Sequence, residues 1–331
     1  MDIVVTRARR IYSDGRHNAW TGICRHESKV YVSFRSGINH VAPRNTVKLI
    51  ASADCESWSV VAERGEVSPE IDNRDPKVVS FGGRLFVYYP RCRARNPERE
   101  ITGMVFTSSD GSTFSQPEPV QGLPDRIWVW WMMPREDRLY GTGYARGRCL
   151  LASSADGLTW EPLTDLPVEA GNEAAFDFDP DGAMWVLVRE DSYGCIPTVC
   201  VLKPPYRRVD WKLRLPMRLQ GPMIKRLPGG CVIVCRQWDS PRGLRRNTRT
   251  EMFWLADGEL PRHVCTLPSG GDTSYAQWLD TGPGSAVISY YTSHEHKMAV
   301  RPNDPGLAQD HALAEHSTAA DIFLADVAWT P

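Results

Sequence analysis

The sequence predicts an all-β fold in which six similar units close into a ring, that is, a six-bladed β-propeller with four antiparallel strands in each blade. Three observations predict it. Long amphipathic helical patterns are nearly absent from the 331 residues. A strand, a turn and a second strand recur six times along the chain. A turn containing serine and aspartate recurs three times between these hairpins. Several short strands in each of six similar units are typical of a propeller.

The six hairpins each end in an arginine or a tyrosine, about 50 residues apart. The ends are Arg35, Tyr89, Tyr144, Arg189, Arg236 and Tyr291. The fourth hairpin, GNEAAFDFDPDGAMWVLVR, has the clearest form, with a Pro-Asp-Gly turn between its two strands. Because the first and last residues of a hairpin lie side by side, Glu173 and Arg189 are expected to stand together at one rim of a sheet.

Three turns share the form Ser-x-Asp-x-x-Ser/Thr-aromatic, at 52–58, 108–114 and 154–160. The aspartate of each turn is expected to accept hydrogen bonds from backbone N–H groups of the same turn. The aromatic side chain is expected to pack into the next blade. Three copies in one frame support the repeat that the hairpins indicate.

The two ends of the chain are expected to share one blade. The last strand, ADIFLADVAW at 320–329, needs a partner at its edge, and the first strand, DIVVTRARRIY, can supply it. Residues 1–331 would then form a single propeller domain. Three polar stretches exceed the framework, at 91–100, 237–249 and 296–317. They are expected to cluster on one face, either as solvated loops or as a lid in contact with substrate.

Composition argues against several classes of protein. The net charge of −1 gives no overall field that would draw the chain to nucleic acid or to a membrane surface. No signal-peptide pattern and no apolar stretch of membrane-spanning length is present, so a cytoplasmic location is expected. Nine scattered cysteines indicate reduced, mostly buried thiols. No cofactor or metal is expected, because His296, His311 and His316 of the last loop match no compact metal-ligand spacing.

Equivalent hairpin rims of a propeller converge on one end of its central channel, so polar rim residues are expected to form a ligand site. Charged groups are rarely buried unless paired, and three arginines in register with acids opposite favour a polar ligand. The arginines at strand ends are Arg35, Arg189 and Arg236. The other candidate site residues are His17, Arg74, Asp75, Asn172, Glu173, Asp272, Tyr275, Tyr290, His294 and Glu295.

This constellation resembles the sialidase (neuraminidase) superfamily, specifically its bacterial six-bladed propellers with Asp-box (BNR) repeats. The resemblance extends over nearly the whole chain and keeps the same order. It consists of an early arginine, an acidic residue on the next blade, the Ser-x-Asp turns, an Asn-Glu pair before a hairpin that ends in arginine, a third arginine, a Ser-Tyr segment and a late glutamate. The matching residues are Arg35, Asp75, Asn172, Glu173, Arg189, Arg236, Tyr275 and Glu295.

The chain is also similar to a large group of uncharacterised bacterial sialidase-like proteins, and this resemblance is the closer one. It is carried by four short segments. They read His17-Asn18-Ala19, Arg74-Asp75-Pro76-Lys77, SGGDTSY at 269–275 and SYYTSHE at 289–295.

The resemblance implies a glycoside hydrolase that acts on a small carboxylate-bearing glycoside or an oligosaccharide. It implies that Tyr275 is the nucleophile, Glu173 its base and Asp75 the general acid. The guanidinium groups of the three strand-end arginines would bind the carboxylate. In the sialidases the late glutamate orients the first arginine.

Two other functions remain open from the sequence. A uronate-specific lyase would use an arginine or asparagine to neutralise a carboxylate, with His17, His294, Tyr290 and Tyr275 as the working groups. A propeller that only binds carbohydrate, or one recruited into a biosynthetic pathway for a reaction other than hydrolysis, would need no catalytic pair.

Overall fold

Six antiparallel sheets form the six-bladed β-propeller that the sequence predicts. The computed structural model describes residues 1–93, 100–145, 147–192, 195–238, 248–296 and 319–330. All regular secondary structure in these ranges is β-strand. Among the same residues, no helix has the length and apolar character that crossing a membrane requires.

The first three blades follow one another along the chain. Blade 1 contains β2 (His17–His26), β3 (Lys29–Gly37), β4 (Thr46–Ser52) and β5 (Ser59–Arg64). Blade 2 contains β6 (Ile71–Asn73), β7 (Lys77–Phe81), β8 (Arg84–Arg93), β9 (Ile101–Ser108) and β10 (Glu118–Pro119), and its innermost strand is divided into β6 and β7. Blade 3 contains β11 (Trp128–Arg135), β12 (Arg138–Ala145), β13 (Arg148–Ser154) and β14 (Glu161–Asp165).

The last three blades complete the ring. Blade 4 contains β15 (Gly171–Phe178), β16 (Met184–Glu190), β17 (Thr198–Leu202) and β18 (Trp211–Arg214). Blade 5 contains β19 (Gln220–Leu227), β20 (Gly230–Gln237), β21 (Arg249–Ala256) and β22 (Arg262–Thr266). Blade 6 contains β23 (Thr273–Gly282), β24 (Ser285–Thr292), β25 (Asp321–Thr330) and β1 (Asp2–Tyr12).

Blade 6 joins the two ends of the chain, as predicted. Strand β1 pairs antiparallel with β25, from Asp2 opposite Thr330 to Tyr12 opposite Ile322, and the sheet order is β1-β25-β24-β23. The strand from the N-terminus therefore covers the edge that β25 would otherwise expose.

The apolar core lies between the faces of neighbouring blades. Four successive residues of β20, from Cys231 to Val234, are fully buried, because both faces of a blade are covered by its neighbours. All nine cysteines are free thiols, and burial raises the pKa of Cys235 and Cys231 to about 12, which makes both unreactive at neutral pH.

The Ser-x-Asp turns make the backbone hydrogen bonds that the sequence predicts. In each turn the aspartate Oδ1 accepts from the N–H groups two and three residues further on, at 2.7–2.8 Å. The aromatic residue packs against the preceding blade, not the next one as predicted: Trp160 of blade 3 lies 5.9 Å from Tyr88 of blade 2. Its side chain leaves the sheet on the face that blade 2 covers.

Near its start, the innermost strand of every blade departs from regular pairing. In blade 2 the strand is broken around Arg74, Asp75 and Pro76. In the other blades the register shifts between Ala19 and Gly22, Val129 and Trp131, Gly171 and Ala174, Gln220 and Met223, and Ser274 and Gln277. Such bulges re-aim a side chain out of the sheet's regular alternation, and here six of them surround one end of the central channel.

The residues 94–99, 239–247 and 297–318 lie outside the described part of the chain, and with them most of the three polar stretches, including His311 and His316. Of the histidines considered for a metal, His296 is described, and its Nε2 lies 3.0 Å from Asp321 Oδ2.

Candidate active site

A cavity of about 300 Å³ opens at the end of the channel where the six bulges lie. Seven of the residues predicted for the site line it together. They are Arg74, Asp75, Asn172, Glu173, Arg189, Arg236 and Tyr275. His40, Trp128, Tyr144 and Gln220 add further polar and aromatic surface.

Two buried residues in the cavity lining form a hydrogen-bonded pair. Tyr275 Oη donates to Glu173 Oε1 at 2.6 Å. Glu173 Oε2 accepts from the Gly221 N–H at 2.9 Å and lies 3.0 Å from Arg189 Nη1. As predicted, Glu173 and Arg189 therefore stand together at the rim of their hairpin. Both carboxylate oxygens have partners, so the carboxylate is fixed in orientation.

The environment sets opposite protonation states for this pair. Burial and the charge of Glu173 raise the pKa of Tyr275, so the phenol keeps its proton. Burial also favours the neutral form of Glu173. The charge of Arg189 and the hydrogen bonds from Tyr275, Arg189 and Gly221 outweigh it and hold the Glu173 pKa below its ordinary 4.5. At neutral pH the pair is a phenol donating to a carboxylate.

The backbone around Tyr275 is strained in a way that brings its ring to the carboxylate. Ser274 and Tyr275 have φ values of +94° and +53°, which non-glycine residues rarely adopt. Gly221, on the neighbouring blade, has φ +56°, and a Cβ there would lie 2.9 Å from Tyr275 Cδ2. The ring therefore occupies the space that a side chain at position 221 would need.

Asp75 lies in the break of the innermost strand of blade 2, with φ +40°. Its side chain is buried, and burial raises its pKa to about 6. Arg74 and Lys77 oppose this rise, and Glu173 adds to it. A carboxyl group with a pKa near the working pH is suited to donate and recover a proton.

Arg74 is the arginine most available to a ligand. Its guanidinium lies 4.7 Å from the centroid of Trp20, and its Nε is 3.8 Å from Asp75 and 3.9 Å from Asp72. Within the described ranges its guanidinium N–H groups make no hydrogen bond. A charged donor group with unused hydrogen-bonding capacity in a cavity wall is suited to bind an anion.

Arg236 is held by blade 6. Its Nη2 lies 2.8 Å from Asp272 Oδ1 and donates to Tyr291 Oη at 2.6 Å, and its Nε donates to the Thr273 carbonyl at 2.8 Å. Its Cζ lies 5.2 Å from the centroid of the Tyr275 ring. The positive charge is thereby fixed beside the phenol.

The structure places Arg35 behind the cavity wall and not in it, contrary to the expectation that it binds substrate. It is fully buried, with Nε 3.0 Å from Asp72 Oδ1. Its Nη1 and Nη2 donate to the carbonyls of Asn39 and Ala42 at 2.7 and 2.8 Å. The next blade supplies Arg74 to the cavity instead. Because Asp72 orients Arg35, the predicted orienting role of Glu295 has no counterpart in the contacts of Arg35.

Asp272 and His17 also lie behind the wall, and both are fully buried. Asp272 Oδ2 is 2.8 Å from His17 Nε2 and 2.5 Å from His40 Nδ1. Its Oδ1 accepts from Arg236 and from Tyr291 Oη at 2.8 and 2.7 Å. Asp272 therefore connects blades 1, 5 and 6 and supports the cavity from behind.

Three other predicted residues lie away from the cavity. Tyr290 is buried with its ring 5.7 Å from Phe323 and donates to the Pro268 carbonyl. Successive strand residues face opposite sides, so Tyr291 and not Tyr290 contacts Arg236 and Asp272. The His294 ring packs on Phe323 at 5.1 Å. Glu295 forms a surface ion pair with Arg10 at 2.7 Å.

His40 and Gln220 line the cavity without having been among the candidate residues. His40 follows a hairpin end, in the loop between β3 and β4. The position of His40 in the sequence could have indicated its role, because polar residues just after a hairpin end lie at the same rim as those just before it. Gln220 stands directly opposite Arg236 in the register of blade 5, which equivalence between blades could have indicated.

Comparisons with known proteins identify the architecture. No protein-family model and no curated protein matches the sequence. A protein of unknown function from Dyadobacter fermentans is similar in structure over 99% of both chains, with a TM-score of 0.74 and 16% identity. The phage phi92 endosialidase has a TM-score of 0.74 and 9% identity, over 98% of this chain and 69% of its own. The Trypanosoma rangeli sialidase has a TM-score of 0.63 and 10% identity, over 94% of this chain and 55% of its own.

The GH32 β-fructofuranosidase of Bombyx mori and the GH43 β-1,3-galactosidase BT3683 also match, each with a TM-score of 0.53. Identities this low establish a shared propeller fold and leave the chemistry to be inferred from the site itself.

Proposed function

We propose that this protein is a glycoside hydrolase that acts on a small carboxylate-bearing glycoside with retention of configuration. The observation that carries the proposal is the 2.6 Å hydrogen bond from Tyr275 to Glu173 in the lining of a cavity that also contains Asp75 and three arginines. The presence of sialidases and other glycoside hydrolases among the proteins of similar structure supports it.

In the first step Tyr275 Oη attacks the anomeric carbon and Glu173 Oε1 takes the phenolic proton. Since the pKa of Tyr275 is raised and that of Glu173 lowered, a free phenolate is not formed beforehand. The proton moves to Glu173 while the new C–O bond forms, because bond formation makes the phenolic proton more acidic. Asp75, protonated, donates its proton to the leaving oxygen as the glycosidic bond breaks.

In the second step a water molecule attacks the same carbon. Asp75, now ionised, takes a proton from the water, and Glu173 returns its proton to Tyr275 as the tyrosyl bond breaks. Each group ends the cycle in its starting state, so no other reactant is required. A pKa of about 6 allows Asp75 to play both parts.

The arginines define the substrate class. Arg74 has unused hydrogen-bond donors, whereas Arg189 and Arg236 line the cavity while they are held by Glu173 and Asp272. A substrate carboxylate bound beside these arginines exchanges its hydrogen bonds with water for hydrogen bonds with charged, oriented donors. The cavity, at about 300 Å³, is at the small end for ligand sites and suits one sugar ring.

The lyase alternative loses support from the placement of its working groups. His17 is buried behind the wall, and His294 and Tyr290 contact Phe323, so Tyr275 alone of that set lines the cavity. A protein that only binds carbohydrate would share the cavity but would not depend on the proton of Tyr275.

The test uses fluorogenic 4-methylumbelliferyl glycosides of N-acetylneuraminic, glucuronic and galacturonic acids, with neutral hexosides as the comparison. Hydrolysis of an acidic glycoside is expected. Tyr275→Phe should reduce its kcat at least about a thousandfold, and Glu173→Gln and Asp75→Asn each by about 10²–10⁴. Tyr290→Phe, a buried tyrosine of the same strand pair that lies off the site, is the matched control and should change kcat less than about threefold.

Proton NMR should show that the first product formed has the same anomeric configuration as the substrate. Release of an unsaturated uronate would establish elimination instead. Unchanged turnover in Tyr275→Phe, or hydrolysis of the neutral hexosides alone, would refute the proposal.

A further inference from the structure

Lys77 is a buried lysine behind the cavity lining, and the reaction steps above give it no part. It is the first residue of β7, directly after the break in blade 2 that contains Asp75. Only 1% of its surface is exposed. Burying a charged ammonium group is unfavourable unless hydrogen bonds or opposite charges compensate it, so a lysine at this position needs an explanation.

The direct contacts of the ammonium group compensate its burial only in part. Nζ donates to the Thr21 carbonyl at 2.6 Å and lies over the ring of Trp130, 5.2 Å from its centroid. In the part of the chain that the structure describes, it makes no other hydrogen bond and no ion pair with a carboxylate. Two of its three N–H donors therefore have no acceptor among these residues.

Both contacts of Lys77 lead to Tyr275. Thr21 Oγ1 donates to the Tyr275 carbonyl at 3.0 Å, so the residue that binds the ammonium group also holds the strained backbone of the tyrosine. The Trp130 ring that lies under the ammonium group is 6.4 Å from the Tyr275 ring. Lys77 thereby connects the break in blade 2 with the backbone and with the ring of the tyrosine.

The charge of Lys77 acts on the carboxyl groups of the site. Burial lowers the pKa of Lys77 to about 8, and the charges of Asp75 and Glu173 oppose this fall. Lys77 is therefore positively charged near pH 6, where Asp75 titrates. Around Asp75, the cations Arg74 and Lys77 favour its ionised form, and Glu173 and Asp72 oppose it.

The remaining titratable groups near Asp75 do not change their charge in this range of pH. Arg35 is close to Asp75 and stays charged beside Asp72. Burial raises the pKa of Tyr144, Tyr275 and Cys92, so these three groups stay neutral.

We propose that Lys77 is a positioning residue, which stabilises the ionised form of Asp75 from behind the cavity lining and supports Tyr275 through Thr21 and Trp130. This inference rests on the proposed function, because it takes Asp75 to be the general acid. When Asp75 gives its proton to the leaving oxygen, a negative charge appears on a buried group near Glu173, which is already ionised. A cation nearby lowers the free energy of that state.

Arg74 cannot fill this role alone. It lines the cavity, and in the proposed complex its charge is shared with the carboxylate of the substrate. Lys77 lies outside the cavity lining and keeps its full effect on Asp75 while the substrate is bound.

The first experiment measures the pKa of Asp75 and needs no turnover. The side-chain carboxyl groups of ¹³C-labelled aspartates are titrated by NMR, and the Asp75 signal is the one missing in Asp75→Asn. Lys77→Gln removes the charge and keeps an N–H donor for Thr21, whereas Lys77→Met removes both. Each variant should raise the pKa of Asp75 by about one pH unit or more.

The matched control is Lys225→Met. Lys225 also belongs to an innermost strand, β19, but lies toward the other end of the channel, where it contacts Asp177 and Asp280. This variant should leave the pKa of Asp75 as it is in the wild type. If Lys77→Gln also left it unchanged, the inference would be overturned.

The second experiment follows kcat/KM against pH for the methyl and 4-methylumbelliferyl glycosides of the acid that the wild type hydrolyses. In Lys77→Gln the falling limb should move to higher pH together with the pKa of Asp75. Near about pH 5, the methyl glycoside should be slowed at least about threefold more than the other, because methanol is the poorer leaving group and needs more help from the acid. A residue that only supports the fold would slow both substrates equally and leave the limb in place.

The outcomes also separate this inference from the proposed function. An unchanged pKa of Asp75 in both Lys77 variants, with hydrolysis of an acidic glycoside by the wild type, would overturn the role of Lys77 and leave the hydrolase intact. A raised pKa in both variants, with no hydrolysis of any acidic glycoside by the wild type, would overturn the hydrolase instead.

Discussion

Replacing either Arg35 or Arg74 by methionine should show that the first arginine stabilises the fold and the second binds the ligand. Both arginines lie beside Trp20, with Cζ at 5.2 and 4.7 Å from its centroid, and both are near Asp72. The sequence alone favours Arg35 as the substrate ligand, because it ends a hairpin as Arg189 and Arg236 do. The structure gives it three hydrogen bonds within the protein and no place in the cavity wall.

The expected losses differ in kind and in size. Arg35→Met removes the charge that compensates a buried carboxylate, and breaking a buried ion pair costs about 3–5 kcal/mol. Asp72 keeps a hydrogen bond from Asn45 and has Arg74 at 3.9 Å, so the loss in unfolding free energy should be near about 3 kcal/mol at the low end of that range. Arg74→Met gives up no hydrogen bond within the described residues and should cost about 1 kcal/mol or less.

Urea unfolding followed by tryptophan fluorescence measures the first effect, and calorimetric titration with the acidic sugar measures the second. With a slope of about 3 kcal/mol per molar urea, Arg35→Met should lower the midpoint by about 1 M. Arg74→Met should keep the midpoint within about 0.3 M and weaken anion binding about 10- to 100-fold. If Arg35→Met unfolded like the wild type and lost anion affinity instead, the assignment of the two arginines would be wrong.

Two further predictions concern the reacting groups. The kcat/KM of hydrolysis should have a bell-shaped dependence on pH. It should rise as Glu173 ionises, with a pKa below 4.5, and fall as Asp75 loses its proton near pH 6. A maximum above pH 7 would contradict these assignments. Gly221→Ala should reduce kcat at least about a hundredfold, because its Cβ would displace the Tyr275 ring. Gly229→Ala has a similar positive φ and open space, so it should lower stability by about 1 kcal/mol and leave kcat unchanged.

The fold was readable from the sequence because it repeats. A spacing of about 50 residues survives changes in any one strand, and six hairpins with one form leave few alternatives. Closure by the two ends followed from the need to cover the edge of β25. The packing of Trp160 against the preceding blade was predicted wrongly, since the face on which a side chain leaves a sheet depends on strand phase. A shift of one residue reverses that face.

The site was readable only in part, and for the same physical reason. Hairpin symmetry brings Glu173 beside Arg189, and the structure places them 3.0 Å apart. Strict alternation fails at the bulges, however, where a side chain points out of register. Arg35, from a regular strand, turns behind the wall, while Arg74 and Asp75, from the break in blade 2, enter the cavity. The presence of a bulge is not visible in the period-two pattern of the sequence.

The six bulges divide into two alternating sets, and this division explains how Tyr275 reaches Glu173 across an intervening blade. Blades 2, 4 and 6 supply Asp75, Glu173 and Tyr275 from their breaks in regular pairing. Blades 1, 3 and 5 supply Trp20, Trp130 and Gly221.

The second set encloses the tyrosine. The two indole rings lie 6.3 and 6.4 Å from the Tyr275 ring, and on the third side Gly221 provides space instead of a side chain. The Gly221 N–H also donates to Glu173, so the blade that separates nucleophile and base both makes room for their hydrogen bond and orients its acceptor. The breaks in regular pairing place these residues at one end of the channel, and the difference between alternate blades gives them their chemistry.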